Sequence, residues 1–541
     1  MANIFKPPCD EAVIRTGPEA APCAPNVGRW VLAATILGSS MAFIDGTVVG
    51  VALPVIQADL QTSVTQMQWV VQAYALLLAA LILVGGSLGD HLGRKRVFLW
   101  GVVVFALASI WCGLALDVNQ LIIAQAVKGV GGALLIPGSL AIISSTFSES
   151  QRGRAIGTWS AFTAITMALG PVLGGWLVEN LSWRAVFFIN TPIAIAVLAV
   201  TVRYVPESWN EDVTGERLDW WGALLAALGI GGIIYGLTES SRLGWGDPRV
   251  IGAVALGVVM LLAFVWLESR LAAPMMPLGV FRSTTFSGAN LLTLLLYSAL
   301  GGALFFLPFN LIQVQDYSPT AAGAALLPFI LIMFLLSRWS GGLVERFGAK
   351  LPLVVGPVIT AGGYALFAVP EIGGSYWTTY FPAVLVLGLG MALSVAPLTT
   401  AVMNSVATHQ SGVASGINNA VSRLANLLGV AVLGILMTVI FNQALDDQLA
   451  PLDLAAETRQ AIDNQRENLA AAAVPADIDP AVQTALEQAI EGAFVWGFRW
   501  VMLAAAILAL AGAVSAGVMI EGKTATVEPS PVVDTRLKAE T

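Results

Sequence analysis

The sequence predicts an all-α integral membrane protein that crosses the bilayer fourteen times. Of its 541 residues, 57% are apolar and only 11% are charged, whereas a soluble domain carries about 25% charged residues. Fourteen apolar runs reach the length of about 20 residues that a membrane helix needs. The Lys and Arg residues are distributed unevenly between the loops that join these runs. These three observations indicate that lipid is the main solvent of the chain.

The predicted spans alternate with short polar links, and the even number of crossings places both termini on the same side of the membrane. They lie near residues 30–55, 65–86, 97–116, 119–144, 155–178, 184–204, 219–239, 249–269, 286–312, 320–343, 350–369, 377–403, 412–442 and 493–519.

The basic residues orient the chain. With the N-terminus inside, 18 of the 26 Lys and Arg residues lie in cytoplasmic segments and 6 lie in external loops. Cytoplasmic loops carry an excess of Lys and Arg, so both termini are expected in the cytoplasm. The first 29 residues are polar and the first apolar run is too long for the core of a cleavable signal peptide. We therefore expect the first span to be retained.

A polar cytoplasmic link, Pro206–Arg217, follows the sixth span and separates an N-terminal six-helix half from two extra helices and a second six-helix half. The acidic external loop contains Asp479-Pro480, which is typical of a helix N-cap followed by proline. The loop is either a solvated spacer or a docking surface for a partner. The predicted segments are a cytoplasmic tail (1–29), an N-terminal six-helix bundle (30–205), a linker with two extra helices (206–285), a C-terminal six-helix bundle (286–520) that includes the acidic loop (443–492), and a cytoplasmic tail (521–541).

A short glycine-rich and charged segment links the second and third predicted spans. It reads Gly86-Ser-Leu-Gly-Asp-His-Leu-Gly-Arg-Lys-Arg96. Glycine permits a tight turn and a close approach of helices, and a carboxylate can hold a helix N-terminus or an arginine. A weaker copy, Gly341-Gly-Leu-Val-Glu-Arg-Phe-Gly-Ala-Lys350, follows the tenth span. The repeat indicates two related halves.

These residues resemble the signature of the major facilitator superfamily, between its second and third helices. The stretch Gly170-Pro-Val-Leu-Gly-Gly175 resembles the antiporter motif of the same superfamily on its fifth helix. Three further stretches are similar to the fourteen-helix drug:proton antiporters of the EmrB/QacA type. They are Asp45-Gly-Thr-Val-Val-Gly-Val-Ala-Leu-Pro54, Ser182-Trp-Arg-Ala-Val-Phe-Phe-Ile-Asn-Thr-Pro192 and Ser411-Gly-Val-Ala-Ser-Gly-Ile-Asn-Asn419. The resemblance covers about residues 30–520 and implies a major facilitator fold with 6 + 2 + 6 helices.

The resemblance also implies two sets of moving parts. An inner gate would form between the charged turn of one half and its copy in the other half. The segment of the fifth span would be a kinked, closely packed helix, and small residues four apart are also how membrane helices approach in general. The gating residues would be Gly86, Gly89, Asp90, Gly93, Arg94, Lys95, Arg96, Glu345 and Arg346, and the helix-5 residues would be Gly170, Pro171, Gly174 and Gly175.

The candidates for proton coupling are two ionisable residues inside predicted spans, Asp45 and Lys128, together with the amide Gln125. A charge at mid-bilayer costs at least about 2.5–3.5 kcal/mol, so Asp45 and Lys128 are expected to serve a function. Counting about 1.5 Å per residue places both in the outer third of the membrane. The family pattern Arg-x-x-Gln-Gly-x-Gly is replaced by Gln125-Ala-Val-Lys128-Gly-Val-Gly131, which exchanges the cation and the amide. We predict that Asp45 and Lys128 form a pair; a packing role for Asp45 alone is the alternative.

A further group of polar residues inside the spans could line a substrate cavity. Arg423 lies near mid-membrane in the thirteenth span with asparagines at helical spacing. The predicted cavity residues are Gln72, Tyr74, Asn290, Tyr297, Asn419 and Arg423.

The predicted function is export of small amphipathic compounds in exchange for protons across a bacterial plasma or inner membrane. The sequence has only two histidines and lacks a Gly-x-x-x-x-Gly-Lys-Ser/Thr motif, so we expect no enzymatic activity, no metal, no cofactor, no ATP drive and no nucleic-acid partner. The predicted partners are substrate, protons, the lipid bilayer and, in a two-membrane cell, a periplasmic adaptor at the acidic loop. The alternatives are export of one natural product, lipid or siderophore, and a non-transporting receptor.

Overall fold

The computed structural model describes residues 25–147, 149–208, 219–271, 276–406, 411–452, 454–475 and 477–522. The predicted cytoplasmic tails therefore lie mostly outside the described residues, as does most of the charged linker after the sixth span. Inner and outer refer below to the orientation that the basic residues predict.

The first half consists of six membrane crossings. Their helices are α1 (Pro25–Leu60), α2 (Val64–Leu92), α3 (Arg94–Leu114), α4 (Val118–Thr146), α5 (Glu149–Asn180), and the pair α6 (Ala185–Phe188) and α7 (Asn190–Tyr204), which together make the sixth crossing.

Two extra helices and a second half follow. The extra helices are α8 (Trp220–Leu243) and α9 (Pro248–Glu268). The second half contains α10 (Thr284–Phe309), α11 (Pro319–Ala325), α12 (Leu327–Phe347), α13 (Lys350–Phe367), α14 (Tyr376–Asn404), α15 (Ser411–Leu449), the external α16 (Ala456–Asp463) and α17 (Pro480–Met519).

The described residues form helices and no strand, which confirms the predicted all-α membrane fold. Thirteen helical segments are long and apolar enough to cross a membrane. Helix α5 is not among the thirteen, although its 32 residues are long enough for a crossing. The count of fourteen transmembrane helices therefore stays a prediction.

Local sequence explains where several helices begin. Ser63 and Gln66 form a reciprocal capping box at the start of α2, which satisfies two otherwise unpaired backbone N–H groups. The side chain of Asp117 accepts from the N–H of Gln120 at the start of α4. Asp479 accepts from the N–H of Ala481 ahead of α17. The cap and proline start predicted at Asp479-Pro480 are therefore confirmed.

Two further crossings, in addition to the sixth, are interrupted rather than continuous. The tenth predicted span is split at Leu326 into α11 and α12, and Pro328 lies at the start of α12. Proline has no N–H to continue the preceding helix, so the break follows from the local sequence. The outer end of α10 runs into a π-helical turn at Asn310–Val314.

The extra helices α8 and α9 form a hairpin that lies across the seam between the halves. Helix α8 packs against both α2 and α15. At its outer end, Glu239 accepts from Trp69 Nε1 at 2.9 Å and Thr238 donates to Gln72 Oε1 at 3.0 Å. Deeper in the membrane the hairpin, α2 and α15 enclose an apolar cavity of about 360 Å³. The hairpin is thus bonded to the first half and meets the second half through apolar side chains.

The described part of the external acidic loop packs onto the bundle, so the interpretation as a solvated spacer is wrong. Leu469 is 1% exposed and belongs to the main hydrophobic core. Arg466 donates to Asp446 at 2.5 Å and to Asp463 at 2.8 Å. The backbone carbonyl of Asn468 accepts from Gln57 Nε2 of α1 at 3.1 Å. Burial of an apolar side chain and a local ion-pair cluster therefore hold the loop against both halves.

Candidate functional site

A buried ion pair lies inside the first half. Lys128 Nζ of α4 donates to Asp45 Oδ1 of α1 at 2.8 Å, and the side chains are 0% and 2% exposed. The structure thus brings together the two residues whose pairing was predicted. Within a low-dielectric interior two opposite charges stabilise each other far more than at a surface.

The surroundings of the pair are built to hold its charges. Asn190, the first residue of α7, donates from Nδ2 to Asp45 Oδ1 at 3.2 Å. The Lys128 ammonium lies 4.8 Å from the ring centroid of Phe187, 5.6 Å from that of Tyr74 and 5.9 Å from that of Phe105. Aromatic faces attract a cation most strongly where water is excluded. Lys128 therefore keeps favourable contacts on several sides without leaving the protein interior.

The outer end of α1 differs from the prediction. Helix α1 continues to Leu60 rather than ending near residue 55, so Asp45 lies about 22 Å from the end of the helix. The depth of the pair in the membrane stays a prediction. Gln125, one turn before Lys128, is buried, and its Oε1 has no hydrogen-bond partner among the described residues. The structure does not bring Gln125 into the hydrogen bonding of the pair.

The predicted inner gate contains a second ion pair. Asp90 Oδ1 accepts from Arg94 Nε at 2.8 Å across one helical turn. Between them Gly93 ends α2 and starts α3 with a φ of +106°, a conformation that L side chains rarely adopt. A Cβ at this position would also lie 2.7 Å from Glu207 Oε1. Glycine is therefore required at this turn, because of its backbone conformation and because a Cβ would collide with Glu207.

Glu207, on the link after α7, holds the start of α3 in place. Its Oε1 accepts from the backbone N–H of Lys95 at 2.9 Å and of Ser208 at 3.2 Å, and its Oε2 lies 3.6 Å from Arg96 Nε. A carboxylate at a helix N-terminus is favoured by the helix dipole. The link between the first half and the hairpin is thus docked on the charged turn.

The contact between the charged turn and its copy in the second half stays a prediction. Arg346 lies in the last turn of α12, and the side chain of Glu345 lies outside the described residues. Among the described residues, the side chains of Asp90 and Arg94 pair with each other.

The glycine-rich segment of α5 packs closely against two different neighbours. A Cβ on Gly170 would overlap the Thr47 hydroxyl of α1, and one on Gly174 would lie 3.0 Å from Val48 Cα. On the adjacent face, a Cβ on Gly175 would overlap the Pro319 carbonyl of α11 in the second half. Helix α11 reciprocates, since a Cβ on Gly323 would overlap the carbonyl of Pro171. This segment therefore joins the halves by direct backbone approach.

Further contacts at the outer ends join the same two halves. Gln313 Nε2 donates to Gln57 Oε1 at 3.0 Å, and Gln68 Nε2 of α2 donates to the Val430 carbonyl of α15 at 3.2 Å. The backbone N–H of Thr320 donates to Glu179 at 3.2 Å. The outer side is thus closed by glycine packing and by polar contacts between the halves.

The predicted cavity residues are placed in different surroundings. Asn290 is buried and accepts from Asn418 Nδ2 at 3.2 Å, which joins α10 to α15. Gln72 faces the hairpin through Thr238. Tyr297 and Arg423 are half-buried, and Asn419 is exposed. Tyr74 is buried, with its ring beside the Lys128 ammonium. Asn290 and Gln72 thus serve helix packing, whereas Tyr297, Arg423 and Asn419 keep accessible surface.

Two residues of the site were not predicted from the sequence. Asn190 was noted only as part of a family-like stretch, and Glu207 only as part of a polar link. A lone amide inside an apolar span, followed two residues later by Pro192, was the available signal for Asn190. No local pattern marks Glu207 as the carboxylate that caps α3.

The two helical bundles meet on one side of the membrane, and an ion pair lies inside the first of them. This arrangement is typical of membrane transporters that expose one site alternately to each side. The family description Major Facilitator Superfamily matches residues 35–430. The chain belongs to this family and is a multi-pass membrane protein, as predicted.

Curated relatives of the chain are named for drug resistance and export. The "Multidrug resistance protein Stp" of Mycobacterium tuberculosis (strain CDC 1551 / Oshkosh) is 36% identical over 77% of this chain and 77% of the relative. The "Tetracenomycin C resistance and export protein" of Streptomyces glaucescens is 34% identical over 78% of each chain.

Solved structures share the fold at low identity. An inward-facing, unoccupied bacterial homolog of the human lysosomal transporter Spinster aligns with a TM-score of 0.63 and 16% identity, covering 91% of this chain and 98% of that one. Identity at this level shows the fold alone.

Substitution of Gly175 is expected to prevent closure of the outer side. Gly175→Ala places a methyl group against the Pro319 carbonyl, so α5 and α11 must separate. We expect this variant to lose export. A cysteine placed at Gln313 in a cysteine-free background should react at least about tenfold faster with a membrane-impermeant maleimide. A tenfold rise in the population of molecules that are open on the outer side needs only about 1.4 kcal/mol.

The matched control is Gly157→Ala on the same helix, where nothing lies within 4 Å of the new methyl group. It should retain export and slow labelling. Equal labelling of both variants would contradict the assignment of Gly175 to the outer closure.

The contribution of Glu207 to the stability of the fold is expected to fall as the pH rises. Burial, the largest effect, raises the pKa of the Glu207 carboxyl above its ordinary value of 4.5. The folded protein then binds the proton more tightly than the unfolded chain, so this contribution to stability is lost as the pH rises through the raised pKa. We therefore subtract the melting temperature of Glu207→Gln from that of the wild type. This difference should decrease as the pH is raised from 4.5 to neutral.

Asp247→Asn is the control for this experiment. Hydrogen bonds from Arg249 lower the pKa of Asp247 to about 2 from 3.8, so its contribution is complete above the ordinary pKa and is lost only on acidification. Its effect should be constant over the same pH range. A wild type that gains stability over Glu207→Gln as the pH rises would refute the assigned burial effect.

Proposed function

We propose that this protein exports small amphipathic compounds in exchange for protons, by alternating access of a central site between two six-helix halves. The observation that carries the proposal is the ion pair of Asp45 and Lys128, which is enclosed inside the first half. Ionisable side chains inside membrane spans are costly and mark proton or substrate pathways. The family membership supports a carrier rather than an enzyme.

The pair can couple a proton to a conformational change. While Asp45 is ionised, it neutralises Lys128 and ties α1 to α4, and Asn190 adds a tie to α7. A proton on Asp45 removes the ion pair and leaves the ammonium among three aromatic rings. The contacts between these helices then differ between the two protonation states. Such a difference is what a proton needs in order to shift the equilibrium between two conformations.

The outer closure supplies the second requirement of alternating access. Gly175 with Pro319 and Gly323 with Pro171 bring the halves into backbone contact at their outer ends. Opening outward must break these contacts together with the Gln57–Gln313 hydrogen bond. The Asp90–Arg94 turn is the corresponding inner gate, with Glu345 and Arg346 as its proposed counterparts.

The relatives favour drug-like cargo. They include proteins named for resistance to tetracenomycin C, puromycin and methylenomycin A, which supports an antibiotic or other amphipathic compound as substrate here. Export of one specific natural product by the same mechanism is the second candidate. A periplasmic adaptor remains a prediction that the packed external loop does not favour.

Replacing both charged residues of the pair by neutral ones is expected to preserve folding and to abolish proton coupling. Lys128→Gln alone leaves a buried carboxylate unpaired, which should lower the free energy of unfolding by about 3–5 kcal/mol. Asp45→Asn/Lys128→Gln removes both charges and should recover much of that loss. Neither variant should accumulate a fluorescent amphiphile in inside-out vesicles when an acid-inside proton gradient is imposed, because neither has the titratable pair.

Arg270→Gln, an exposed residue just beyond the inner end of α9, is the control for removing one positive charge outside both the pair and the proposed gate. It should accumulate the probe, and a protonophore should abolish that accumulation. Gradient-driven accumulation by the folded double variant would refute proton coupling through the pair. A folded wild type that transports no cationic, neutral or anionic probe would favour the receptor alternative.

A further inference from the structure

The apolar cavity behind the hairpin is made by small side chains. It has a volume of about 360 Å³ and lies between α2, α8, α9 and α15. Ala79 and Ala80 of α2, Ala226 of α8 and Ala420 of α15 all line it, where larger aliphatic side chains would have filled the space. Protein interiors contain few voids larger than a water molecule. A cavity of this size is therefore expected to hold an occupant.

The wall of the cavity is apolar throughout. Its sixteen lining residues are alanine, valine, leucine, isoleucine, phenylalanine or methionine. Apolar cavities stay dry and accept apolar guests. A pocket for a drug-like compound adds a small number of polar groups that fix the orientation of the compound. The lining therefore favours a plain hydrocarbon chain over water or an amphipathic substrate.

The cavity has the depth of the inner leaflet, in the orientation that the basic residues predict. Met276 and Phe281, on the inner link between α9 and α10, contribute to its lining. Along α15, which starts on the inner side, the lining runs from Ile417 to Leu428, a distance of about 16 Å. The hydrocarbon of one leaflet is about 15 Å deep. One extended acyl chain of the inner leaflet therefore matches the cavity in position and length.

The cavity is continuous with the surface that faces the bilayer. Val265 and Phe281 line it and are 44% and 36% exposed. Leu262 and Trp266, which neighbour Val265 on α9, are 65% and 61% exposed, as expected of side chains in contact with lipid. A hydrocarbon chain can therefore pass from the bilayer into the cavity along apolar side chains.

We propose that this cavity binds one acyl chain of an inner-leaflet phospholipid. The chain contacts α2, α8 and α9 on the side of the first half and α15 on the side of the second half. Without the chain, the side chains on both sides lose packing partners, so the bound chain stabilises the contact between the hairpin and the second half. This inference goes beyond the proposed export function and does not depend on it.

Photolabelling of the full-length protein tests the site. The protein is placed in vesicles of phosphatidylethanolamine and phosphatidylglycerol that include a phosphatidylglycerol with a diazirine in the middle of one acyl chain, and labelled residues are identified by mass spectrometry. Ile234 lines the cavity and is 0% exposed, so label at Ile234 reports the cavity, whereas label at Leu262 reports the lipid-facing surface. The wild type should be labelled at both. Ala420→Phe fills the cavity and should lower the label at Ile234 about tenfold while leaving that at Leu262 within about twofold.

Ala255→Phe is the matched control, because it adds the same side chain on the exposed part of α9; it should leave the label at Ile234 within about twofold of the wild type. Ala226→Leu fills the cavity from the opposite wall, should also lower this label, and decides the matter if Ala420→Phe does not fold. A wild type without label at Ile234, or filled variants that keep it, would overturn the assignment. Displacement of the label by rhodamine 123 would also overturn it, in favour of a substrate site.

Discussion

The buried ion pair between Asp45 and Lys128 is the interaction on which the rest of the structure depends. Neither charge could be held in the membrane interior alone, because an unpaired buried ion costs several kcal/mol. Pairing at 2.8 Å, the amide of Asn190 and the aromatic rings around the ammonium together make the burial tolerable. The same arrangement fixes the relative positions of three helices of the first half, so structure and coupling share one set of contacts.

Most of the architecture could be predicted because lipid imposes simple rules on sequence. Apolar length and basic loops are local quantities, and they gave the spans and the predicted orientation. Asp45 and Lys128 were found for the same reason, since a charge in an apolar run is conspicuous and both are at similar depth. Asn190 and Glu207 escaped because their roles arise only when distant segments meet. Glu207 contacts the backbone of Lys95, which is far away in sequence.

Helix ends and the external loop were predicted less well, also for a physical reason. Residues beyond the bilayer are polar whether or not they remain helical, so hydropathy could not show that α1 reaches Leu60. The acidic loop has the composition of a solvated segment, yet Leu469 enters the core and Arg466 gathers two aspartates. A few buried or ion-paired side chains within a polar segment determine where it packs. The overall composition of the segment does not reveal them.

The hairpin of α8 and α9 has a consequence for how the two halves move. Trp69 and Gln72 of the first half hold it by hydrogen bonds to Glu239 and Thr238. Helix α15 meets it around the cavity through apolar residues such as Ile417 and Leu428. Apolar surfaces slide past each other without breaking directional bonds. In the proposed alternating access, the hairpin is therefore expected to travel with the first half, which makes the two moving bodies unequal. The larger body carries its own apolar wall along the seam, and the cavity behind that wall changes shape as the halves move.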